Sequence, residues 1–204
     1  MNEDLANLLG LLLSDGSVYY DKSKKTYCIQ FTNKSSRLRV LFKDLMKRCF
    51  GTNKFYEIPC KNAVSLRVHS MKIAKKLFIY SPTFRTLPCK SSPRCNQFSC
   101  SFCKPQKNNG IEYPPSQIHE SILSNSEFTR AFLRGFVSGD GGLYINKKHS
   151  IYTVEIACYH PFLKKQVIEG IESLGIQARL KPNAVLVSGI KPFTKFMDDV
   201  GIVK

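Results

Sequence analysis

Two aspartates occupy the same place in a nine-residue segment that occurs twice in the chain. Residues 8–16 read Leu-Leu-Gly-Leu-Leu-Leu-Ser-Asp-Gly, and residues 133–141 read Leu-Arg-Gly-Phe-Val-Ser-Gly-Asp-Gly. The segments align without a gap, so that Asp15 matches Asp140. Adjacent carboxylates repel each other unless a cation lies between them, and hard oxygen ligands suit Mg²⁺. Two unrelated aspartates before helix-ending glycines are the alternative interpretation.

Small residues in the same segments predict how the two aspartates are brought together. Gly10 with Ser14, and Gly135 with Gly139, are spaced four apart, which puts each pair on one face of a helix. Such a face lets another backbone approach closely. Helices that pack groove to groove would run side by side and end together, and this would place the aspartates next to each other.

The repeat continues downstream of these segments. Tyr27-Cys-Ile-Gln-Phe-Thr aligns with Tyr152-Thr-Val-Glu-Ile-Ala at the same offset of 125, and Val68-His-Ser-Met-Lys72 aligns with Val187-Ser-Gly-Ile-Lys191 at an offset of 119. Helical spacing and polar–apolar alternation predict the order α-β-β-α-β-β-α in each copy. The predicted helices are 4–14, 38–49 and 71–79, then 127–138, 163–174 and 191–199, and the predicted hairpins are 17–22 with 26–33, 53–58 with 63–69, 143–147 with 151–158 and 177–181 with 184–189.

The charge balance indicates a polyanionic partner. The chain of 204 residues has 31 Lys and Arg against 15 Asp and Glu, a net charge of +16, and is 43% hydrophobic. That apolar fraction excludes a disordered basic tail. Nucleic acid is the leading candidate partner, because closely spaced phosphates reward distributed Lys and Arg. An anionic membrane surface and a merely soluble basic protein are the alternatives.

No targeting or membrane-spanning segment is evident. The apolar run at residues 8–13 is far shorter than the roughly 20 residues needed to span a bilayer, and acidic residues stand where a secretory signal would be basic. We therefore expect an intracellular protein, in the cytoplasm or nucleoid of a prokaryote or in an organelle, without a membrane partner.

The repeated segment resembles the motif of the LAGLIDADG homing endonucleases, in their single-chain form with two motifs. The resemblance covers residues 4–80 and 127–203. Leu13 and Ser138 replace the first aspartate of the family consensus, whereas the glycine and the terminal Asp-Gly are retained in both copies. The resemblance implies an α+β fold of two αββαββα subdomains, related by a pseudo-twofold axis, whose sheets form a saddle over the DNA major groove. The implied boundaries are 1–80, a Cys- and Pro-rich linker or insert at 81–126, and 127–204.

The family also implies an activity. Its members bind Mg²⁺, or Mn²⁺, through the final aspartates of the motif and cut both strands of a long double-stranded DNA site, leaving short 3′ overhangs. By this resemblance the chain is a monomer with an internal pseudo-dimer, intron-encoded rather than borne by an intein. An RNA maturase that helps its host intron RNA fold, and a catalytically silent DNA-binding regulator, are the alternatives within the same fold. A zinc-ribbon nucleic-acid binder would leave the duplication unexplained.

Further catalytic residues follow from the resemblance. Residues 30–37 look like the family segment Gln-x-Thr-Gln-Lys-x-x-Arg. By that match Asn33 takes the place of a glutamine that positions solvent, and Lys34 and Arg37 are its basic partners. Lys72 and Lys191 match a lysine at the start of the family's last helix. The alternative is that each is an ordinary solvated lysine at the start of a helix.

The second copy departs from this pattern, and the two centres should therefore be unequal. Cys158, Tyr159 and Phe162 stand where the first copy has Asn33, Lys34 and Arg37, and Lys147, Lys148 or His160 are candidates to compensate. We hypothesise that cleavage of the second strand depends more on the metal and Lys191.

Strand alternation also predicts a DNA-facing surface. Arg, Gln and Asn on strands reach base edges, while lysines more often contact phosphates. A solvated sheet face is the alternative. The candidate DNA-binding residues are Lys22, Lys24, Lys25, Gln30, Thr32, Ser65, Arg67 and His69 in the first copy, and Tyr144, Asn146, Lys148, Glu155, Gln177, Arg179 and Lys181 in the second.

Eight cysteines fall into two groups. Cys89, Cys95, Cys100 and Cys103 lie within the proline-rich linker, and the last two form a tight pair that is typical of structural Zn²⁺ sites. Disulfides and free thiols are the alternatives for this cluster. The remaining cysteines have apolar neighbours and are predicted to be small core residues: Cys28, Cys49, Cys60 and Cys158.

Overall fold

The computed structural model describes residues 1–84, 106–108, 111–113 and 116–203, and of the two three-residue segments only the backbone. The first half contains α1 (Glu3–Asp15), β1 (Gly16–Asp21), β2 (Thr26–Asn33), α2 (Ser36–Phe50), β3 (Tyr56–Cys60), β4 (Ala63–His69) and α3 (Met71–Leu77). A short hairpin, β5 (Gln106–Asn108) and β6 (Ile111–Tyr113), and a one-turn helix, α4 (Glu120–Leu123), lie between the halves. The second half contains α5 (Ser126–Asp140), β7 (Gly141–Asn146), β8 (Ile151–Ala157), α6 (Pro161–Ser173), β9 (Arg179–Lys181), β10 (Ala184–Ser188) and α7 (Ile190–Asp199).

This order confirms the predicted α+β fold of two αββαββα units. Each unit has a four-stranded antiparallel sheet, with strand orders β1-β2-β4-β3 and β7-β8-β10-β9. The registers are equivalent in the two units, since Gln30 pairs with Arg67 in the first and Glu155 pairs with Leu186 in the second. No helix among the described residues is long and apolar enough to cross a membrane.

Each sheet buries one face because apolar side chains alternate along its central strands. Ile29 and Phe31 lie opposite Val68 and Leu66, and all four are buried against the helices. The outer face, on the other side of the sheet, carries the intervening residues.

Helices α1 and α5 form the centre of the molecule. The contacts of Asn7 with Gly135 and of Ser14 with Gly139 show that the helices run in the same direction. A Cβ on Gly10 would overlap the backbone of Phe132, so the two backbones touch at this position. Seven residues of α1 are buried on all sides, which fits a helix that packs on a partner helix and on its own sheet. The predicted close pairing through small residues is therefore confirmed.

The chain between the halves is tied to both of them. The side-chain amide of Gln166 on α6 accepts a hydrogen bond from the Ile118 N–H at 2.8 Å and donates one to its carbonyl at 3.0 Å. Phe84, at the other end of this segment, is fully buried and packs near Phe78. The division of the chain into 1–80, 81–126 and 127–204 stays a prediction. The cluster Cys89, Cys95, Cys100 and Cys103 lies outside the described residues.

Of the cysteines predicted to be core residues, two are buried and two are not. Cys28 and Cys158 are buried, whereas Cys49 and Cys60 are only partly covered. Cys28 pairs with His69 and so belongs to the outer face rather than to the core. It is nevertheless inaccessible, because its neighbours on that face cover it.

The helix contact generates a stability prediction. We expect Gly10→Ala to lower the free energy of unfolding by at least about 2 kcal/mol, because the added methyl group meets backbone atoms that cannot move aside. Urea denaturation measures the change. Gly170→Ala is the matched control: its Cβ would make ordinary contacts, at 3.4 Å to Thr129 and 3.6 Å to Leu123. Equal stability of the two variants would contradict the close contact.

Candidate active site

The two predicted metal ligands are the last residues of the central helices. Asp15 ends α1 and Asp140 ends α5, and both side chains are partly buried. Gly139 lies against Asp15, since a Cβ there would stand 2.5 Å from the Asp15 Oδ2. The carboxylates also sit at the helix ends where the backbone dipole is negative, so the dipoles do not stabilise their charge.

Burial and mutual repulsion act on both carboxyl groups. Burial raises the pKa of Asp140 to about 7, and the neighbouring Asp15 carboxylate adds to the effect. Burial also raises the pKa of Asp15, although a hydrogen bond from Asn33 opposes this. No Lys or Arg of the described residues forms an ion pair with either aspartate. Within the described part of the chain, the repulsion between the two carboxylates is therefore not offset by an ion pair.

Asn33 is fixed by hydrogen bonds at both ends of its amide. Its Nδ2 donates to the Asp15 Oδ2 at 2.8 Å, and its Oδ1 accepts from the Ser35 N–H at 2.7 Å. Ser35 in turn caps α2, which begins directly after it. The start of α2 thus holds the amide against the first aspartate, and the predicted role of Asn33 in positioning solvent stays a prediction.

A cleft of about 520 Å³ opens beside Asp15. Lys34 lines it together with Asn33, and Arg37 lies one helical turn away on the exposed side of α2. Three residues that the sequence analysis did not single out also contribute. Asn62 and Ser138 line the cleft, and the Arg39 guanidinium donates to the carbonyls of Asn33 and Lys34 at 2.9 and 2.8 Å.

The predicted strand order is sufficient to place one of these residues, Asn62, at the cleft. In an antiparallel pair, the turn between β3 and β4 returns to the end of the sheet at which β2 stops, and this brings Asn62 to the cleft. Arg39 had no such signal, because it is one of many basic residues on exposed helix faces.

The second centre lacks the amide of the first. Cys158 stands at the position that matches Asn33. Burial raises the pKa of its thiol to about 12, and the nearby Asp140 carboxylate contributes to the increase. Its sulfur donates to the carbonyl of His160 at 3.8 Å. His160 caps α6 through Nδ1, and burial lowers its pKa to about 4, so the imidazole is neutral.

The structure does not bring Lys72 and Lys191 to the aspartates. The Ser70 N–H donates to the carbonyl of Tyr27, which lies four residues along β2 from Phe31, the strand partner of Gly16. The Gly189 N–H likewise donates to Tyr152, which lies four residues along β8 from Ile156, the strand partner of Gly141. Four residues span about 14 Å of strand. Both lysines are exposed at the starts of α3 and α7, beyond those ends. Their positions do not support the predicted catalytic role, because the last strand of each unit runs away from the centre.

Most of the candidate DNA-binding residues lie on the outer faces or in the adjoining turns. Thr32 donates to the Ser65 hydroxyl at 3.0 Å, and Gln30 donates to Thr32 at 3.2 Å. Ser65 is fully buried, so its predicted contact with DNA is not available in this arrangement. The accessible members are Lys22, Lys24, Lys25, Tyr144, Lys148, Glu155, Gln177, Arg179 and Lys181, and those partly covered are Gln30, Thr32, Arg67, His69 and Asn146.

The raised pKa of Asp140 predicts a pH-dependent stability. The folded protein retains a proton that the unfolded chain releases near pH 4, so this stabilisation is present at low pH and is lost as the pH rises through about 7. We expect Asp140→Asn to be more stable than the wild type by about 1–3 kcal/mol at pH 8. The difference should shrink as the pH falls to 5.

Denaturation in EDTA at both pH values measures this difference. Asp198→Asn, which removes one charge from the exposed side of α7, is the control and should show no such trend. A stability difference for Asp140→Asn that does not change with pH would contradict the shifted pKa.

Comparisons with known proteins agree with this architecture. The family model of the LAGLIDADG-like domain matches residues 2–79. No curated protein sequence matches the chain. Among solved structures, mesophilic variants of the homing endonuclease I-DmoI match with a TM-score of 0.60 at 17% identity, covering 98% of this chain and 95% of theirs.

Two other structures share the fold. I-DmoI in complex with DNA and Mn matches with a TM-score of 0.61 at 18% identity, covering 98% of this chain and 96% of that one. The N-terminal LAGLIDADG domain of DUF199/WhiA matches with a TM-score of 0.58 at 14% identity, covering 99% and 82%. Residues 2–79 therefore form a LAGLIDADG-like domain, and the chain as a whole has the fold of the single-chain, two-domain LAGLIDADG proteins.

Proposed function

We propose that the chain is a site-specific homing endonuclease that cuts both strands of a long DNA target in a metal-dependent reaction and leaves short 3′ overhangs. One observation carries the proposal: Asp15 and Asp140 end two equivalent helices side by side, and burial raises the pKa of both. A protein that only binds DNA has no need of such a pair, which costs stability. The net charge of +16 and the polar outer faces support double-stranded DNA as the partner.

The residues present fit Mg²⁺ or Mn²⁺. Mg²⁺ in phosphoryl-transfer sites is commonly held by one or two carboxylates, with water and substrate phosphates as the other ligands. Asp15 and Asp140 supply that number, and no group of three or more His, Cys, Asp or Glu able to hold a metal occurs among the described residues. I-DmoI, which shares the fold, was crystallised with DNA and Mn. The ion would activate water and stabilise the charge that develops on the phosphate.

The chain's own residues prepare the first centre for this chemistry. Asn33 holds the orientation of the Asp15 carboxylate, and its second Nδ2 hydrogen is left to orient water or a phosphate oxygen. Lys34 places an ammonium group at the edge of the same cleft, where it can offset the negative charge of the phosphate. Arg39 holds the backbone of both residues, so it is a positioning residue.

The two centres should cut their strands at different rates. The first has an amide on its aspartate, whereas the second has the Cys158 thiol. A supercoiled plasmid bearing the target should pass through a nicked form, because the second strand is cut more slowly. Asn33→Cys should slow the faster cut, since it makes the first centre resemble the second, and Cys158→Asn should reduce the nicked form. Gel separation of supercoiled, nicked and linear plasmid measures this, and equal rates for both strands in the wild type would contradict it.

A catalytically silent regulator or an RNA maturase is the second candidate. It is favoured by the unequal second centre, where Cys158 stands in the place of Asn33. Under this alternative the chain binds nucleic acid tightly but does not cut it.

Cleavage of a random DNA library tests the proposal. Circular DNA with random inserts is incubated with the protein and Mg²⁺, and linear products are captured and sequenced. We expect one family of inserts to be cut, no cutting in EDTA, and a loss of at least about 100-fold for Asp15→Asn and Asp140→Asn. Asp198→Asn should cut normally. Cutting by both aspartate variants would show that the site is wrong, and tight binding without cutting would favour the second candidate.

A further inference from the structure

The outer face of the second sheet contains a cavity of about 420 Å³. Glu155 on β8 lines it together with Arg179 and Lys181 on the edge strand β9. Of the described residues that line this cavity, Glu155 alone carries a carboxylate. Its Oε1 lies 3.4 Å from the Lys181 Nζ. The hydroxyl of Ser188, on the same wall, is buried and has no hydrogen-bond partner among the described residues.

The first sheet has different chemistry at the equivalent place. Gln30 matches Glu155 through the repeat, and the strand partner of Gln30 is Arg67, whereas the partner of Glu155 is Leu186. The first sheet therefore presents an amide beside a guanidinium. The second presents a carboxylate on β8, and its cations lie on the edge strand β9, on the far side of β10. The two halves have diverged at the position where a sheet in the major groove would meet a base pair.

The ion pair with Lys181 does not explain why Glu155 occupies this position. The side chains of Lys181 and Glu155 are 43% and 52% exposed, and an ion pair this open contributes little to stability. A carboxylate near DNA phosphates is repelled by them. Because it only accepts hydrogen bonds, it becomes favourable there when a base offers it an amino group.

The neighbouring cations narrow the choice of base pair. Cytosine offers its N4 amino group in the major groove, and the paired guanine offers two acceptors, O6 and N7, next to it. One acceptor with two cationic donors on the same side of it is complementary to that pattern. An adenine–thymine pair fits less well, because it interrupts the acceptors with an amino group and adds the thymine methyl group.

We propose that Glu155, with Lys181 and Arg179, reads a C·G base pair in one half of the DNA target. At the pseudo-symmetric position of the other half, Gln30 and Arg67 read a different base pair, so the target is not a palindrome there. This inference rests on the proposed function, because it requires the outer faces to lie in the major groove of a specific site.

Selection of bound DNA tests the inference. The double variant Asp15→Asn with Asp140→Asn, in EDTA, serves as a non-cutting background, and a random duplex library is enriched on it and sequenced. We expect one position of the enriched site to be C·G. Adding Glu155→Gln should shift that position towards A·T, which a glutamine amide reads, and weaken binding to the original site roughly 5- to 100-fold. The other positions should be unchanged.

Two matched variants complete the test. Gln30→Glu should move the pseudo-symmetric position of the other half towards C·G. Glu169→Gln removes an equal charge from the ion pair with Lys165 on α6, outside the cavity, and should leave every position unchanged. An enriched site that Glu155→Gln does not alter would overturn this inference and leave the proposed function standing. Enrichment of no sequence at all would overturn both.

Discussion

The contact between α1 and α5 determines the rest of this structure. Gly10 and Gly135 let the two backbones touch, and any side chain there would hold the helices apart. Because the helices run in the same direction and are equally long beyond this contact, they end together, and Asp15 and Asp140 meet. Each sheet begins at the residue after its aspartate, so the same contact also sets the relation between the two outer faces. The two glycines therefore determine both where the aspartates meet and how the two outer faces are placed relative to each other.

The cost of this arrangement is visible at the aspartates. Two carboxylates are partly buried at the negative ends of two helices, and burial raises the pKa of both. Among the described residues, the Asn33 amide donates to Asp15, and no side chain donates to Asp140. In the proposed function, a cation and a phosphate complete this site.

The two halves of the chain carry different side chains at equivalent positions of the repeat. A symmetric dimer must present the same residues twice, whereas a fused repeat can change each half independently. Asn33 is matched by Cys158 at the centre, and Gln30 by Glu155 on the outer face. In the proposed function, the first difference affects how a strand is cut and the second affects which base pair is read, and neither alters the strand order.

The sequence predicts the fold well and the site in part. The repeat and its alternation predict every α-helix and strand of both halves, because these patterns are local or are confirmed by the second copy. The structure places Asn33 and Lys34 at the cleft beside Asp15, as expected from their position at the end of β2, and their catalytic roles stay predictions. It places Lys72 and Lys191 away from the aspartates, because their position depends on which way β4 and β10 run across the sheet, and this is a property of pairing between distant segments. The burial of Ser65 likewise depends on neighbours from β2, and α4 is too short to produce a periodic pattern.

The most direct test of the account is the titration of the Asp140 carboxyl group, followed by NMR of the ¹³C-labelled side chain. If the helix pair holds the two carboxylates together, the pKa of Asp140 is about 7 without metal, and it is lower both in Asp15→Asn and in saturating Mg²⁺. A pKa near that of an ordinary aspartate, about 4, unchanged by the substitution and by the metal, would contradict the central claim that the helix pair holds two carboxylates together.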